Sequence, residues 1–411
     1  MGMQLEMLAG VYQVRIIVTG ASGSIGRQLV PLLAVGSTEL LLVGRDPALL
    51  ANLFPNLRAC GYGQLVTRGR NFDLLVHLAV INNDAEASSD IFHDVNVRHM
   101  LEVRGHAQQA GIAKFINISS VHALDESNRS PYAESKREGA RRIREAPNGA
   151  MTLYLPIVYG SKFSGKLTIL NNMPRGISSL AIDILSAFRP TLGVEKLARY
   201  IMAHAMAESD QEVILSDGQG KNMLYRFVRR AVDFGFATGV VLLLWWLILA
   251  IWVLIKVQSE GPGIFAQKRV GRYGMVFTCY KFRTMKLGTV QAATNEVSSA
   301  SVTKLGHVLR QTKIDELPQV WNIFRNEVSL IGPRPCLPVQ AALVEARRQR
   351  GVLELKPGIT GLAQVNGIDM SEPEKLAQLD RRYGALQSLA LDLNIVLATA
   401  SGSGQGDNVA G

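Results

Sequence analysis

This 411-residue chain has few cysteines and tryptophans, and its histidines lack a metal-binding pattern. These features argue against disulfides, a structural zinc site and nucleic acid binding. The three cysteines, Cys60, Cys279 and Cys336, form an odd and scattered set, so a reducing, cytosolic setting without disulfides is expected. The seven histidines show no metal-ligand spacing, which argues against a structural zinc site. Three of the four tryptophans lie in one apolar run and no nucleic-acid-binding motif is present, so no nucleic acid partner is expected.

Positive charge is abundant but is concentrated in the second half of the chain. Residues 1–220 contain 21 Lys and Arg against 20 Asp and Glu, whereas residues 221–411 contain 23 against 14. Nearly all of the net charge of +10 therefore belongs to the second half. Such a basic region suits anionic lipid, nucleic acid or phosphorylated substrates.

One apolar run helps to separate these alternatives. Residues 234–255, FGFATGVVLLLWWLILAIWVLI, are 22 consecutive residues without a charge. That length is enough to enter a bilayer core about 30 Å thick, and the run starts too late for a cleaved signal peptide. A buried core helix is the alternative, but such helices seldom continue so long without a polar residue. We therefore expect a membrane segment with membrane lipids around it.

The first half begins with a pattern typical of dinucleotide binding. Residues 14–30, VRIIVTGASGSIGRQLV, predict a strand, a turn containing Gly20, Gly23 and Gly26, and a helix. Glycine allows a pyrophosphate to approach the free N–H groups at the helix N-terminus. The next predicted strand leads to Arg45, which suits the 2′-phosphate of NADP, so NADP is slightly favoured over NAD. A solvated loop arginine is an equally good interpretation of Arg45.

A second pattern in the first half indicates acid–base chemistry. Tyr132 and Lys136 are four residues apart, so they share one face of a helix, and the ammonium group can favour the ionised phenol that such catalysis uses. Ser120 ends the strand before them and can hold a substrate carbonyl or alcohol beside the phenol, with Ser119 as the second choice.

These motifs resemble the extended short-chain dehydrogenase/reductase family, whose members epimerise, dehydrate or reduce nucleotide sugars. The resemblance covers about residues 14–219 and implies that Tyr132 is the catalytic acid/base, Lys136 its partner and Ser120 the carbonyl-orienting hydroxyl. The stretch HALDE after Ser120 departs from the Tyr-Gly pair that is common there, which leaves the substrate open.

The second half carries three motifs in order: YKFRTM (280–285), KIDELPQVWNIFRNEVSLIGPRP (313–335) and KPGITGLAQVNG (356–367). Singly, an acid pair at a helix start can serve as a cap and GPRP can be a rigid turn. Together, over about residues 224–396, the motifs resemble the monotopic phosphoglycosyl transferases, bacterial membrane enzymes that move a sugar-1-phosphate from a UDP-sugar to polyprenyl (undecaprenyl) phosphate.

That resemblance implies a role for each charged residue of the motifs. Asp315 would be the nucleophile and a ligand of Mg²⁺, and Glu316 would position the metal or accept a proton from the lipid phosphate. Arg334, Lys281 and Arg283 would bind phosphate groups, because attack by an anion on a diphosphate requires positive charge. A later stretch, MSEPEKLAQLDRRY (370–383), resembles relatives that use an N-acetylated 6-deoxyhexosamine. The expected precursor is therefore a UDP-4-keto-6-deoxy sugar that the first domain reduces at carbon 4.

The sequence leaves two topologies open for the membrane segment, a straight span and a re-entrant helix. The resembled family breaks this helix at a Ser-Pro pair, but here Trp245 and Trp246 occupy those positions, so a straight span is possible. Both flanks are basic, which favours two cytoplasmic ends and a re-entrant helix (Arg226, Arg229, Arg230, Lys256, Lys268, Arg269). Residues 337–352, with an arginine cluster, suit either an amphipathic helix on anionic headgroups or a solvated helix.

The expected organisation is α/β, with a Rossmann-type doubly wound parallel sheet, a membrane-embedded helix and a small, mostly helical α/β transferase domain on the membrane surface. The expected segments are an extension (1–13), the dinucleotide domain (14–219), the membrane helix (224–258), the transferase domain (259–398) and a flexible tail (399–411).

The expected function is a bifunctional nucleotide-sugar reductase or epimerase and sugar-1-phosphate transferase, monotopic in the bacterial inner membrane with both domains facing the cytoplasm. The alternative keeps the transferase and makes the first domain a non-catalytic, nucleotide-binding regulator. A homodimer is left open.

Overall fold

The computed structural model describes residues 14–82, 86–146, 149–161, 163, 165–205, 211–286, 288–289 and 301–402. The expected N-terminal extension and residues 403–411 of the expected tail lie outside the described residues. The chain divides into two compact units. The first contains the described residues up to Ile182 together with Pro190–Asp217, and the second contains Asp183–Arg189 and the described residues from Gly218 onward.

A seven-stranded parallel sheet forms the centre of the first unit, in the order β3-β2-β1-β4-β5-β6-β9. Its strands are β1 Arg15–Thr19, β2 Glu39–Gly44, β3 Arg58–Gly61, β4 Leu74–His77, β5 Lys114–Ser120, β6 Ala150–Leu155 and β9 Glu212–Ile214. Most are short apolar runs because both faces of a parallel sheet are covered. The winding reverses at β1, which pairs with both β2 and β4, and this confirms the predicted doubly wound sheet.

Helices cover this sheet, and a short parallel pair, β7 Ile157–Tyr159 and β8 Thr191–Gly193, lies outside it. The helices from the start of the description to residue 203 are α1 Ser24–Gly36, α2 Pro47–Leu53, α3 Leu65–Arg68, α4 Ser89–His93, α5 His99–Gln109, α6 Pro131–Arg144, α7 Arg175–Phe188 and α8 Val194–Ala203. A π-helical turn, Asp94–Arg98, joins α4 to α5, and the 3₁₀ helices of this part are Tyr62–Gln64, Val121–Leu124 and Gly165–Asn172. Two buried apolar clusters, which divide the alternating residues of the strands between them, make up most of the core.

The second unit begins with one long helix, α9 Met223–Gln258, and continues with an antiparallel hairpin, β10 Ile264–Val270 and β11 Val276–Phe282. A parallel pair, β12 Ser329–Ile331 and β13 Gly358–Thr360, follows. The remaining helices are α10 Lys304–Gln311, α11 Val320–Phe324, α12 Ala341–Gln349, α13 Leu362–Val365, α14 Pro373–Leu386 and α15 Leu389–Ala400. Its 3₁₀ helices are Arg272–Gly274, Ile314–Gln319 and Val352–Glu354.

Helix α9 has 36 residues, a length of about 54 Å, and among the described residues it is the one helix long and apolar enough to cross a membrane. It continues through Trp245 and Trp246 without a break, so the bend expected of a re-entrant helix is not seen there. Only 17% of its most apolar window is buried in the protein. A row of large apolar side chains is exposed along it (Leu242, Leu243, Trp245, Trp246, Leu249, Trp252, Val253, Leu254).

One face of α9 packs against the rest of the second unit along most of the helix. Ala237 and Val240 contact a cluster on α11, and about three turns further on Ile251 and Ile255 pack with Phe282 at the end of β11. Near the start of α9, polar contacts continue the same face, because the Asp233 carboxylate accepts hydrogen bonds from the Ser329 hydroxyl (2.9 Å) and the Leu330 amide (2.8 Å). Both ends of α9 are therefore docked on the same unit.

The arginines before the apolar run have structural partners that the charge count did not predict. The Arg229 guanidinium donates hydrogen bonds to the Ile331 carbonyl and the Ser329 hydroxyl, and Arg230 donates to the Ile323 carbonyl. Arg229 and Arg230 therefore help to dock α9 on its own unit, so at this end only the exposed Arg226 remains as a basic residue that indicates the side of the membrane.

Candidate functional sites

The glycine turn of the first unit brings the backbone close to the N-terminus of α1. Gly20 has φ of +72°, and a Cβ there would lie 2.5 Å from the Ala79 amide nitrogen. A Cβ on Gly26 would lie 2.5 Å from the Gly20 carbonyl oxygen, so neither position tolerates a side chain. Gly23 caps α1 without a side-chain hydrogen bond, and the first turn of that helix has no acidic residue. This open, positively polarised helix end fits the pyrophosphate of a dinucleotide.

The end of β2 holds the two charged residues that bear on cofactor choice. The Asp46 carboxylate accepts a hydrogen bond from the Leu49 amide (3.0 Å) and thereby caps α2. Arg45 is exposed and lies within electrostatic range of Tyr62. The acid is thus occupied by the helix, whereas the arginine side chain points outward, an arrangement that can accept a 2′-phosphate.

The predicted serine, tyrosine and lysine are carried by β5 and α6. Ser130 caps α6, and Pro131 occupies its first turn, which fixes where the helix begins. Lys136 is buried, and its Nζ donates a hydrogen bond to the Ile118 carbonyl of β5 (3.2 Å). Burial lowers the pKa of Lys136 to about 7, so this amine can carry or release a proton near neutral pH.

Tyr132 and Ser120 lie on the same two elements as this lysine. The Tyr132 ring is half-buried, and its centroid is 6.2 Å from that of Phe92 and 6.3 Å from that of His122. The Ser120 hydroxyl accepts a hydrogen bond from the His122 amide (3.3 Å), whereas the hydroxyl of Ser119 is buried and has no hydrogen-bond partner among the described residues. Ser120 is thus hydrogen-bonded to the backbone of His122, and the ring of His122 in turn lies near the Tyr132 ring.

Sequence analysis missed a buried polar row across this sheet. Thr19, His77, Asn117 and Thr152 are aligned in register on β1, β4, β5 and β6, and all are nearly inaccessible to solvent. The Thr19 hydroxyl and His77 Nδ1 are 2.9 Å apart, and burial lowers the pKa of His77 to about 3, so the ring is neutral. The available signal was a polar residue at a similar place in four apolar strands.

In the second unit, the acid pair lies on a 3₁₀ helix, Ile314–Gln319, rather than on an α-helix. Lys313, immediately before it, has a left-handed backbone with φ of +56°. Successive residues of a 3₁₀ helix are about 120° apart, so Asp315 and Glu316 diverge and meet different surroundings.

Glu316 is held by the two cations that the motifs predict. Its Oε1 lies 2.5 Å from Lys281 Nζ and 3.5 Å from an Arg334 guanidinium nitrogen. Lys281 comes from strand β11 and Arg334 from the turn after β12. The structure thus joins three charged residues that are up to 53 positions apart (334 − 281) into one cluster.

Asp315 has a different environment, because it is 8% exposed. Burial, together with the neighbouring Glu316, raises its pKa to about 6, although Lys281, Arg310 and Arg334 act in the opposite direction. The carboxyl group is therefore desolvated but surrounded by cations, which is favourable for a nucleophile that must approach a phosphorus atom.

A small pocket lies beside Glu316, and Asp315 is not among the residues that line it. Its lining combines charged and polar side chains with apolar ones (Arg269, Cys279, Lys281, Glu316, Gln319, Arg334, Pro335, Gly358, Ile359). The sequence pattern placed Arg269 in the basic flank of the membrane segment, but its guanidinium donates to the Pro335 carbonyl (3.0 Å) and to the Gln267 amide oxygen and lines this pocket. Arg269 lies on β10 opposite Phe277, three residues before the YKFRTM motif.

Arg283, predicted to bind phosphate, is not among the residues that line this pocket. It is buried, and its guanidinium donates hydrogen bonds to the Ser259 carbonyl (3.0 Å) and hydroxyl (2.7 Å) and to the Glu260 carbonyl (2.5 Å). Arg283 therefore caps the C-terminus of α9, where a cation is favourable.

The surroundings of Asp315 also bear on the expected Mg²⁺. Within the described residues, no group of three His, Cys, Asp or Glu side chains could hold a metal on its own. Mg²⁺ commonly binds one or two carboxylates and completes its shell with substrate phosphates and water. Asp315, which lies near Lys281 and Arg334, fits that donor set.

Comparison with known proteins divides the chain in the same order. Residues 224–404 match the family described as "Bacterial sugar transferase", and residues 16–182 match the "NAD dependent epimerase/dehydratase family". A UDP-glucose:undecaprenyl-phosphate glucose-1-phosphate transferase of Xanthomonas campestris pv. campestris is 39% identical over 171 residues, which are 38% of this chain and 34% of the relative. The protein of the same name from Escherichia coli (strain K12) is 35% identical over 191 residues, which are 42% of this chain and 39% of the relative.

A shorter relative is covered more completely. The uncharacterized sugar transferase EpsL of Bacillus subtilis (strain 168) is 38% identical over 146 residues, which are 36% of this chain and 72% of the relative. This chain therefore belongs to the bacterial sugar transferase family, and it also carries an epimerase/dehydratase-like domain, as predicted. The chain spans only about a third to two-fifths of the length of the two longer relatives.

Proposed function

We propose that the second unit transfers a sugar-1-phosphate from a UDP-sugar to polyprenyl phosphate, releasing UMP. The observation that carries this proposal is the acid pair Asp315 and Glu316, set against Lys281 and Arg334 in a chain of the sugar transferase family. The names of two longer relatives, which state UDP-glucose and undecaprenyl phosphate as substrates, support it.

The proposed reaction has two displacements at one phosphorus atom. A carboxylate oxygen of Asp315 attacks the β-phosphorus of the UDP-sugar, and the bond from that phosphorus to the bridging oxygen breaks, so UMP leaves with the electron pair. A phosphate oxygen of the polyprenyl acceptor then attacks the acyl-phosphate and regenerates the carboxylate. Splitting one difficult displacement into two lowers each barrier.

The cations would offset the charge that accumulates in this reaction. Arg334 offers a planar fork to phosphate oxygens, and Lys281 places an ammonium group beside the acid pair. Glu316, paired with Lys281, would receive the proton of the incoming lipid phosphate. Mg²⁺ bound at Asp315 would supply further positive charge to the diphosphate.

For the first unit we propose an NAD(P)-dependent oxidoreductase or epimerase activity on the nucleotide sugar. Tyr132 would exchange the proton of the sugar hydroxyl or carbonyl, Lys136 would support its ionised form and Ser120 would orient the carbonyl. The tight turn at Gly20 and Gly26 supports dinucleotide binding. The exposed Arg45, beside an acid engaged in capping, supports a preference for NADP.

We further propose that α9 enters the cytoplasmic leaflet without crossing it. Its start contacts β12 and its end packs on Phe282, so a polar unit accompanies the helix along its length, and burying that unit in lipid would be costly. The exposed apolar row on α9 would face the acyl chains. An impermeant thiol reagent should fail to label cysteines placed before residue 226 or after residue 262 in intact cells, and labelling from outside would contradict this topology.

The central test uses the full chain in lipid nanodiscs with a panel of UDP-sugars. We expect UMP release that depends on polyprenyl phosphate, and, when the acceptor is withheld, a sugar-phosphoryl adduct on Asp315 that mass spectrometry can locate. Adding NADPH with a UDP-4-keto-6-deoxy-N-acetylhexosamine should enlarge the set of accepted sugars. The absence of UMP release from every UDP-sugar would refute the transferase proposal.

A further inference from the structure

The turn that carries Arg334 is unusual in how it is held. Its neighbours Pro333 and Pro335 have no N–H group, so the turn cannot be fixed through their amides. Its carbonyls are fixed instead. The Pro333 carbonyl accepts a hydrogen bond from the Gly358 amide (3.0 Å), and the Pro335 carbonyl accepts one from Arg269 (3.0 Å).

The carbonyl of Arg334 itself is held by Arg347, a residue of α12. One terminal nitrogen of the Arg347 guanidinium donates to this carbonyl at 2.8 Å. Its Nε and other terminal nitrogen both donate to Asp380 Oδ2, at 3.0 and 2.7 Å. Both side chains are 3% exposed, so the pair is shielded from solvent.

This geometry requires arginine and its carboxylate together. The planar guanidinium can donate to the carboxylate with one edge and to the carbonyl with its remaining nitrogen, whereas a lysine ammonium cannot reproduce that fixed fork. Both interpretations of residues 337–352 placed their arginines outward, toward lipid headgroups or water. Arg347 departs from both, because its side chain is buried inside the unit.

We propose that Arg347, oriented by Asp380, is a positioning residue that fixes the Arg334 backbone so that its guanidinium meets the phosphate. The inference rests on the proposed transferase function, in which Arg334 binds phosphate. It assigns Arg347 no contact with the substrate. A buried ion pair is weak evidence for stability, since replacing such a pair with apolar residues is often neutral. If the pair can be replaced without loss of stability, an effect of the replacement on activity can be assigned to positioning rather than to folding.

The test replaces the pair without leaving a buried charge, as Arg347→Met with Asp380→Leu. We expect thermal unfolding close to that of the parent chain, a rise in KM for the UDP-sugar and a 10- to 100-fold fall in kcat/KM. Isothermal titration with UMP should show weaker binding by a similar factor. Arg347→Lys, which keeps a charge, should recover only part of the loss.

A double-mutant cycle with Arg334→Ala distinguishes positioning from general disruption. If Arg347 acts through Arg334, the paired substitution should cost almost nothing further in UMP affinity or kcat/KM once Arg334 is alanine. Equal losses in both backgrounds would overturn the proposal. A parent-like KM and UMP affinity in the paired variant would also overturn it.

The chain offers a matched control on the same two helices. Arg350, the residue that caps the C-terminus of α12, pairs with Glu374 of α14 at 2.6 Å, and among the described contacts no hydrogen bond joins Arg350 to Arg334. Arg350→Met with Glu374→Leu should leave UMP binding unchanged, and an equal loss there would refute the assigned role. Failure of the transferase proposal has a different signature, because it would remove UMP release from the parent chain as well.

Discussion

Lys136 in the first unit and Asp315 in the second are both buried groups whose pKa lies near neutral pH, but their surroundings differ. In the first unit, burial lowers the pKa of Lys136 to about 7, and its amine donates to the Ile118 carbonyl. In the second unit, burial raises the pKa of Asp315 to about 6 in the presence of Glu316 and of three cations. Burial favours the neutral form in both cases, and therefore shifts the base downward and the acid upward.

The difference between these surroundings teaches how each site can fail. The first site depends on backbone shape, as the two glycines with no room for a side chain indicate. The second depends on side-chain charges from β11, from a 3₁₀ helix and from the turn after β12. Removing one charge should therefore affect the other charged residues of the second site. The first site should respond mainly to steric changes and to loss of its own reactive groups.

The largest effects should come from removing one reactive group in each unit. Asp315→Asn should lower UMP release by at least about 10³-fold, because it removes the nucleophile. It should leave NAD(P)H consumption with a 4-keto nucleotide sugar unchanged. Tyr132→Phe should do the converse, and both activities can be measured on the same preparation. UMP release that persists in Asp315→Asn, or hydride transfer that persists in Tyr132→Phe, would break the comparison at that unit.

The fold could be predicted from the sequence because the patterns that indicate its elements are local. Apolar strands, the glycine turn and an uncharged run of 22 residues each identify an element, and a predicted parallel sheet with a long apolar helix was confirmed. The strand order around β1 follows from the strand–turn–helix pattern and the family resemblance. The sequence left the course of α9 through Trp245 open, because the missing proline allowed a straight helix while the basic flanks favoured a re-entrant one.

The site was less predictable because its contacts are long-range. YKFRTM places Lys281 and Arg283 two residues apart, yet one pairs with Glu316 and the other caps α9. Nothing local distinguishes them. The burial of Arg347 depends on Asp380, 33 positions away on another helix, so its arginine-rich surroundings suggested a surface role. Charged residues reveal their roles only once the packing of their neighbours is known.

The next largest effect should follow from Lys281→Met. Glu316 would lose its nearer cation, and the repulsion between the two carboxylates would increase, so we expect roughly a 100-fold fall in the rate of UMP release. The matched control is Lys286→Met, because Lys286 lies five residues further on and is exposed. If both variants behave alike, the charge network is not what distinguishes the second site.

The pH dependence of stability should have opposite signs in the two units. The pKa of Asp315 in the folded chain is above its ordinary value of 3.8, so its contribution to stability is full below that value and is lost as the pH rises through about 6. Asp315→Asn should therefore stabilise the second unit more at pH 8 than at pH 4.5, by on the order of 1–3 kcal/mol. Thermal unfolding at the two pH values measures this difference.

Lys136 provides the opposite case. Its pKa in the folded chain is below the ordinary value of 10.5, so its contribution is full above that value and is lost as the pH falls through about 7. Lys136→Met should therefore stabilise the first unit more at pH 6 than at pH 10. A gain of the same sign for Lys136→Met and Asp315→Asn on raising the pH would show that burial is not the common cause.

The smallest predicted effect concerns the cofactor and tests whether recognition in the first unit is local. Arg45→Ala should lower the preference for NADPH over NADH by about tenfold, because it removes one exposed cation from the 2′-phosphate while Asp46 remains engaged in capping α2. Arg58→Ala is the control, since Arg58 is also exposed but pairs with Glu39. The ratio of kcat/KM for the two cofactors separates binding from stability. A ratio that changes equally in both variants would mean that the net charge of the first unit, rather than the end of β2, selects the cofactor, and the contrast between a site built on backbone shape and one built on charge would no longer hold.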